Sequence, residues 1–324
     1  MRGRVSMGDV AAAAGVSAQT VSRVVNGSPR VDPATRERVE DAMTRLGYQM
    51  NRAARTLRTG RSHTVGVVVA TLATVGNSRM LEAVASSAAT RGLGLTVVTV
   101  GHGDDVADAF ARLTEQGVDG AVVLNEATAI ARGAEAPRGL RIVAVDSPSP
   151  AHFPTVQSDH AGGAAQATGH LIHCGHAAVW HLAGPDSSFA AGERLRGWRE
   201  TLASAGIRPP VPVHGDWTAA SGYTAGRALA AKPEVTAVFA ANDQMALGLI
   251  RAFAEAGRPV GDDVHVVGFD DVADAADFLP PLTTVRQDFD ALGEAAVSAL
   301  VAAIAGAAPA HAVIPTTLVR RASA

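Results

Sequence analysis

The sequence predicts a small all-α segment at the N terminus, followed by a larger α/β core built on parallel strands. Three helix-like segments fill the first fifty residues, and apolar strand-like runs alternate with helices over residues 63–324. Charge divides the chain at the same place. Residues 1–61 hold eleven arginines and five acidic residues, a net charge of +6, whereas the whole chain carries −3 and the remainder therefore −9. A basic segment joined to an acidic body is typical of a DNA-binding module fused to a second domain.

Composition sets the broad class of the protein. A chain of 324 residues with 47% hydrophobic residues can form two domains with a sizeable core. The single cysteine, Cys174, excludes an internal disulfide framework and a zinc cluster built on several thiolates. We find neither a secretion signal nor an apolar run of about 18 residues, so we expect a cytoplasmic protein that does not enter a membrane.

Helix signals recur in the basic segment. Ser6 and Asp9 have the spacing of a capping box, and Gly15 is suited to end the helix that follows. A second helix is predicted over residues 17–26, and a third from Pro33 to Leu46, with proline in its first turn. Two short helices joined by about three residues that include glycine predict a helix-turn-helix.

The second helix has an apolar face and a polar face. Val21, Val24 and Val25 are expected to point inward. The outward side chains are Gln19, Thr20, Ser22, Arg23 and Asn26. Gln and Arg can pair with base edges, and the smaller polar residues can donate to phosphates. A solvated, arginine-rich helical domain would show a similar pattern, so this face alone leaves both interpretations open.

Polar residues follow several of the core strands. The predicted strands are Val65–Ala70, Leu93–Val100, Gly120–Leu124, Arg141–Val145, Ala177–Leu182, Ala237–Ala241 and His265–Phe269. Asp146, Asn242 and Asp270 stand where strands end, which is where parallel sheets collect ligands. Carboxylates and amides suit a hydroxyl-rich ligand, and Trp217 could stack on a sugar ring. The alternative is that each of these residues caps the next helix.

Other functional classes fit the sequence less well. A transport-type sugar-binding protein would need no basic headpiece, and a sugar-processing enzyme would need a carboxylate pair, which Asp146 and Asp270 could imitate. His170, His173, Cys174 and His176 crowd seven residues, but we do not expect a metal there. No phosphate-binding loop or hydrolase motif occurs. We therefore expect a protein that is not an enzyme and holds no cofactor or metal.

Longer motifs resemble the lac repressor (LacI) family over nearly the whole chain. The headpiece carries DVA at 9–11, GVS at 15–17, TVSRVVN at 20–26, TRERV at 35–39, LGY at 46–48 and NRAARTL at 51–57. The core carries LAGP at 182–185, RLRGW at 194–198, GDWTAASG at 215–222, ANDQMALG at 241–248, VGFDD at 267–271 and PPLTTVRQD at 280–288. The combination is specific, although each motif alone is short.

The resemblance assigns DNA contacts within a headpiece of residues 1–50. It implies that Ala18, Gln19 and Arg23 face bases. It also implies phosphate contacts from Ser6, Ser17, Thr20, Ser22, Asn26, Thr35, Tyr48 and Asn51. A hinge and linker would span residues 51–62, with Leu57 entering the minor groove beside Arg58 and kinking the duplex. Ala18 offers only an apolar contact, for example to a thymine methyl group.

The resemblance also implies a periplasmic-binding-protein-like core of two parallel-sheet subdomains joined by three crossings. The first would hold residues 63–159 and 289–320, and the second residues 160–288. Asp146, Arg194, Asn242 and Asp270 would hold effector hydroxyls, while Trp217 and Gln287 line the pocket. Thr74, Asn77 and Met80 would form its other wall, which Thr74 and Asn77 make polar.

Together these features predict a transcriptional repressor of carbohydrate-utilisation genes that a sugar, first of all a galactoside, releases from a pseudo-palindromic double-stranded operator. A regulator that needs a co-repressor and binds a small molecule other than a sugar remains the alternative. The chain ends at residues 318–324 without a leucine-heptad segment, so we expect a homodimer.

Overall fold

The computed structural model describes residues 5–25, 27–48, 60–101, 106–125, 127–128, 137, 139–148 and 153–324. It divides into two compact units, Met1–Ser62 and His63–Ala324. None of the helices among these described residues is long and apolar enough to span a membrane.

Three helices build the first unit: α1 (Met7–Ala14), α2 (Ala18–Val25) and α3 (Pro33–Leu46). The predicted capping box is confirmed, since the Ser6 amide donates to Asp9 Oδ2 at 2.8 Å and the Ser6 hydroxyl accepts from the Asp9 amide. Gly15 ends α1 with a φ of 65°, a conformation that glycine adopts without strain. The helix-turn-helix predicted from these signals is therefore present.

The core of the first unit is small and aliphatic. Its fully buried members come from all three helices and are Val10, Ala11, Ala14, Val21, Val24, Val39 and Ala42. Leu46, the last residue of α3, is 37% exposed. Met43 and Tyr48, which lie on either side of it in the sequence, pack against the core instead.

Two six-stranded sheets form the second unit. The first contains β1 (Thr64–Val69), β2 (Gly94–Thr99), β3 (Gly120–Leu124), β4 (Arg141–Val145), β5 (Thr155–Ser158) and β11 (His311–Ile314), in the order β11-β5-β4-β3-β1-β2. The second contains β6 (Trp180–Ala183), β7 (Val213–His214), β8 (Ala237–Ala240), β9 (His265–Asp270), β10 (Thr283–Gln287) and β12 (Thr316–Val319), in the order β12-β10-β9-β8-β6-β7. All pairings are parallel except that of β10 with β12.

Helices cover both sheets. They are α4 (Val75–Thr90), α5 (Val106–Glu115), α6 (His160–His173), α7 (Phe189–Ser204), α8 (Ala219–Ala230), α9 (Asp243–Glu255) and α10 (Phe289–Ile304), with a 3₁₀ turn at Ala273–Asp277. The inner strands β1, β3, β8 and β9 are buried nearly throughout, as the continuous apolar runs in the sequence predict. The edge strands β2, β7, β11 and β12 are partly exposed. The fold is thus a helical headpiece and an α/β core of two sheets.

The chain crosses between the two sheets three times: after β5, after β10, and between β11 and β12. The first and third crossings are joined, because the Asp159 amide donates to the Ile314 carbonyl at 2.8 Å and the Thr316 hydroxyl donates to the Asp159 carbonyl at 3.1 Å. The predicted assignment of residues 289–320 to the first subdomain is wrong at its end. Residues 316–319 form β12, which pairs with β10 in the second sheet.

Candidate functional site

One cavity, with an empty volume of about 500 Å³ including the space open to solvent, lies between the two sheets of the second unit. All nine residues that the sequence analysis assigned to an effector pocket line it. They are Thr74, Asn77, Met80, Asp146, Arg194, Trp217, Asn242, Asp270 and Gln287. The structure therefore brings together residues that are up to 213 positions apart in the chain.

The topology explains why these residues converge. Asp146 directly follows β4, while Asp270 and Gln287 are the last residues of β9 and β10. Parallel strands place their carboxyl ends at one edge of a sheet, and the crossings turn the two edges toward each other. Helices α4, α7 and α9 begin at the same place, after Thr74, Ser188 and Asn242 respectively. The cavity is thus the meeting point of two sheet edges.

The backbone around the cavity is unusual. Asn125, Asp146, Trp217 and Asp270 all line it, and their φ angles are 46°, 52°, 75° and 113°. Non-glycine residues seldom adopt positive φ, and such strained positions concentrate at functional sites. At these four positions the backbone conformation contributes to the placement of a lining side chain.

Arg194, on α7, is the central cation of the cavity and is only 4% exposed. Its guanidinium lies over the Phe269 ring at 3.8 Å from the centroid and donates to the Ala241 carbonyl. Its Nη2 is 3.5 Å from Asp270 Oδ1. These contacts fix the orientation of a buried charge, which would otherwise be costly.

His160 connects the two sheets behind the cavity. It is the first residue of α6, immediately after the first crossing, and is 2% exposed. Its Nε2 lies 2.9 Å from Asp146 Oδ1, on the first-sheet side. Its Nδ1 faces Arg194, accepting from Nε at 3.4 Å and lying 3.3 Å from Nη2. Because Arg194 can only donate, Nδ1 is the acceptor and Nε2 carries the proton. Nε2 is close to Asp146, but the angles are not those of a hydrogen bond.

Asp270 is a buried carboxylate with two neighbours that donate to it. The Gln287 amide donates to its Oδ1 at 2.7 Å, and Arg194 approaches from α7. Burial nevertheless raises the pKa of Asp270 above 3.8, against the opposing effects of Arg194 and Gln287. Donors on a ligand would stabilise this carboxylate in its charged form.

The alternative interpretation, that the polar residues after the strands are helix caps, is correct for only one of Asp146, Asn242 and Asp270. Asn242 caps α9, accepting from the Met245 amide at 3.0 Å, while its Nδ2 donates to the Trp217 carbonyl at 3.0 Å. Asp146 and Asp270 cap no helix. Asp146 Oδ1 accepts instead from the Ser158 amide at 3.1 Å, which joins β4 to the end of β5.

Several lining residues were not predicted. They are Gly76, Asn125, Ser188, Ala190, Phe289 and Leu292. Asn125 could have been found by the rule that found Asp146, because it directly follows β3. Its Nδ2 donates to Asn77 Oδ1, and the Asn77 Nδ2 donates to the Thr71 carbonyl at 2.9 Å. His160 was also missed, since a histidine after a short strand carries no distinct signal.

The three residues expected to face bases, Ala18, Gln19 and Arg23, are exposed on α2. Of the residues expected at phosphates, three occupy helix starts: Ser6 caps α1, the Ser17 hydroxyl accepts from the Thr20 amide at 3.1 Å, and Thr35 lies in the first turn of α3. Helix starts favour anions. Ser22 and Tyr48 are half-buried. Asn26, Asn51, Leu57 and Arg58 lie outside the described residues.

The cluster of histidines and Cys174 does not converge on one point. His173 Nδ1 lies 2.5 Å from the Gly169 carbonyl, whereas His176 Nε2 lies 3.0 Å from His265 Nδ1. Within the part of the chain that the structure describes, no three His, Cys, Asp or Glu side chains are arranged to hold a metal ion.

Comparison with known proteins gives consistent matches. Residues 6–51 match the lacI family of bacterial regulatory proteins, and residues 168–324 match the periplasmic binding protein-like domain. The chain is 38% identical to the lactose operon repressor of Escherichia coli (strain K12) over 324 residues, which cover 98% of this chain and 90% of that repressor.

Two solved structures extend the likeness to three dimensions. A lac repressor dimer bound to operator and the anti-inducer ONPF has a TM-score of 0.87 at 36% identity, covering 99% of each chain. A complex of the transcriptional regulator CelR with cellobiose has a TM-score of 0.75 at 35% identity, covering 99% of this chain and 100% of that one. The predicted periplasmic-binding-protein-like fold of the core is therefore confirmed.

Proposed function

Because this chain belongs to the lacI family of bacterial regulatory proteins and is a DNA-binding transcriptional repressor, we propose that a sugar bound in the cavity releases it from its operator. The observation that carries the proposal is that one cavity is lined by polar side chains from both sheets. The repressors and regulators to which the chain is similar are not enzymes.

At the DNA, we propose that α2 enters the major groove. Gln19 and Arg23 would read base edges and Ala18 would make an apolar contact, in keeping with their exposure on one short helix. Phosphates would bind at Ser6, Ser17, Thr20, Ser22, Asn26, Thr35, Tyr48 and Asn51. Leu57, with Arg58, would wedge into the minor groove. The net charge of +6 on residues 1–61 supports binding to a polyanion.

At the cavity, we propose that Asp146, Arg194, Asn242 and Asp270 hold sugar hydroxyls. Carboxylates and amides accept from hydroxyls, and Trp217 offers an aromatic face to the C–H side of a ring. Thr74, Asn77, Met80 and Gln287 complete the walls. A galactoside is the effector we propose first, because the lactose operon repressor is similar along nearly the whole chain.

The cavity also supplies the coupling between sugar and operator. Asp146 lies on the side of the first sheet, whereas Arg194 and Asp270 lie on the side of the second. A ligand held by both sets therefore binds more tightly at one angle between the sheets than at another. We propose that this angle controls the separation of two headpieces in a cytoplasmic homodimer on a pseudo-palindromic operator. A coupling of about 1–3 kcal/mol would be typical, and it must act equally in both directions.

The experiment is a titration of the protein–operator complex with lactose, galactose, cellobiose, glucose and ribose, followed by fluorescence anisotropy of labelled operator. We expect a galactoside to release the operator. Tighter operator binding in the presence of a sugar would identify a co-repressor and contradict release. No response to any of the five sugars would contradict sugar control.

A further inference from the structure

Residues 320–324 follow β12 and are bonded to the beginnings of β9 and β10. Ser323 is fully buried, and its hydroxyl accepts from the Thr283 amide at 2.8 Å and donates to the Val266 carbonyl at 2.6 Å. The Arg321 amide donates to Thr283 Oγ1 at 2.8 Å. The backbone of Arg321 is therefore fixed relative to both strands.

The Arg321 side chain extends from this segment to Asp271, which directly follows β9. Its Nη1 donates to the Leu282 carbonyl at 2.8 Å, and its Nη2 lies 2.7 Å from Asp271 Oδ1. Asp271 Oδ1 is buried, and the angles of this contact are those of an ion pair without a hydrogen bond. Because that oxygen accepts no hydrogen bond from the described residues, the charge of Arg321 compensates its burial.

The backbone beside this ion pair has an uncommon conformation. Asp270 has a φ of 113° and Asp271 a φ of 52°. Non-glycine residues keep such angles only where the surrounding contacts hold them. The Asp271 amide donates to Thr284 Oγ1 at 3.4 Å, and the Val272 amide donates to Asp243 Oδ2 at 2.9 Å. The contacts of Asp271 therefore determine how the chain leaves β9, and with it the placement of the adjacent Asp270 carboxylate.

Two arginines contact the Asp271 carboxylate, and they differ in exposure. Arg286 Nε donates to Asp271 Oδ2 at 2.7 Å, but the Arg286 side chain is 58% exposed, whereas that of Arg321 is 18% exposed. Water screens an exposed ion pair, so Arg286 contributes little to the placement of Asp271. Loss of the more buried partner leaves a buried charge without compensation. Arg321 is therefore the arginine on which the placement of Asp271 depends.

We infer that Arg321 is a positioning residue for effector binding. It lies outside the set of described residues that line the cavity, but it holds Asp271 and thereby fixes the Asp270 carboxylate that faces the ligand. The inference rests on the proposed function, because it assumes that Asp270 binds a sugar hydroxyl. It gives the segment after β12 a role in effector affinity and not only in the stability of the second sheet.

The decisive variant is Arg321→Met, which keeps an unbranched side chain and removes the charge. Calorimetry of the full chain with lactose, galactose, cellobiose, glucose and ribose would identify the sugars that bind the wild type. Each of these should bind Arg321→Met about 10-fold or more weakly, while operator affinity without sugar stays unchanged. Arg286→Met removes the exposed arginine from the same carboxylate and is the matched control. Its sugar affinity should stay within about twofold of the wild type.

Further variants separate positioning from stability. Ser323→Ala removes two hydrogen bonds from the same segment, so it should lower the melting midpoint and leave sugar affinity within about twofold. Arg321→Lys keeps the charge and should recover part of the lost affinity. If Arg321→Met does not fold, Arg321→Gln takes its place with the same expected loss, because its amide can still donate to the Leu282 carbonyl.

Two results would overturn the inference alone. One is wild-type sugar affinity in the folded, uncharged Arg321 variant. The other is an equal loss of affinity in Arg286→Met or Ser323→Ala, which would show that the effect is not particular to Arg321. In both cases sugars would still bind the wild type, so the proposed function would stand. If none of the five sugars bound the wild type, the proposed function would fail together with the inference.

Discussion

The indole ring of Trp217 lies directly against the backbone of Gly184. A Cβ atom at position 184 would overlap the six-membered part of the ring, so only glycine fits at the end of β6. Trp217 itself has a φ of 75°, and the Asn242 side chain donates to its carbonyl. The Trp217 ring can therefore form this wall of the cavity only because residue 184, directly after β6, has no side chain.

Gly184→Ala should consequently displace Trp217 and weaken sugar binding without affecting operator binding. The methyl group cannot be accommodated unless the ring moves, and a shift of about 1 Å is enough to impair a preorganised site. Tryptophan fluorescence and calorimetry with the effector would measure the change. Gly169→Ala, at a helical glycine with open space around it, is the control. Wild-type sugar affinity in Gly184→Ala would contradict this account of the wall.

The buried contacts of His160 with Asp146 and Arg194 should matter for the coupling between effector binding and operator binding. In His160→Phe the ring shape persists but both polar contacts are lost, so the release of operator by the effector should weaken. In His160→Gln the amide can accept from Arg194 and donate to Asp146, and coupling should recover at least in part. The measurement is operator affinity with and without saturating effector. Equal coupling in wild type and His160→Phe would exclude a role for these contacts.

Removing the charges of the cavity should lock the protein on DNA. Arg194→Ala or Asp270→Ala each leaves a buried partner group unmatched and deletes a proposed hydroxyl contact, while the headpiece is unchanged. We expect operator binding to persist and the sugar response to disappear. Asp108→Ala, which removes an exposed carboxylate on α5, should respond normally. A wild-type midpoint and amplitude in either cavity variant would show that the effector binds elsewhere.

Base recognition should depend on Arg23. This side chain is exposed on α2, and we propose that it contacts guanine through two hydrogen bonds, so Arg23→Ala should cost about 1–3 kcal/mol on the true operator and relax sequence preference. Arg45→Ala, which removes an exposed arginine from the last turn of α3, should weaken binding to all sequences similarly. Selection from random DNA distinguishes the two. Retention of both affinity and preference in Arg23→Ala would refute the assignment.

Acid should destabilise the second unit through His181. Complete burial lowers the pKa of this imidazole to about 3, although Nδ1 lies 2.9 Å from the Phe239 carbonyl. Between about pH 6.5 and pH 3 the unfolded chain therefore binds a proton that the folded chain does not. The free energy of unfolding should fall by up to about 1.4 kcal/mol per pH unit in that range.

The check is urea unfolding at pH values from about 7 down to about 4, a range that extends from just above the ordinary histidine pKa to well below it. His181→Phe keeps an aromatic ring beside Phe239 and should lose this part of the slope. The control variant His173→Gln replaces an exposed histidine and should keep this part of the slope. Identical slopes in wild type and His181→Phe would mean that another group titrates.

The sequence predicted the regular parts of the fold well, because buried parallel strands and capped helices have strong local signals. The strand at Thr283–Gln287 was missed since it is mostly polar, and that at Thr155–Ser158 since it is short. The placement of residues 316–319 depends on pairing with β10, which no local pattern reveals. In the cavity, Asp146, Asn242 and Asp270 were predicted from the strands that precede them, whereas the pairing of Asn77 with Asn125 joins residues 48 positions apart.

The hydrogen bonds that join the first and third crossings limit how the two sheets can move. With Asp159 bonded to both Ile314 and Thr316, the neighbouring segments cannot slide past each other without breaking those bonds. Rotation about the joined segments keeps them intact, so the core should behave as a hinge and not as a pair of shearing layers. Each half should then rotate as a rigid body. A sub-ångström displacement beside Asp146 would produce larger displacements of atoms that lie farther from the hinge axis.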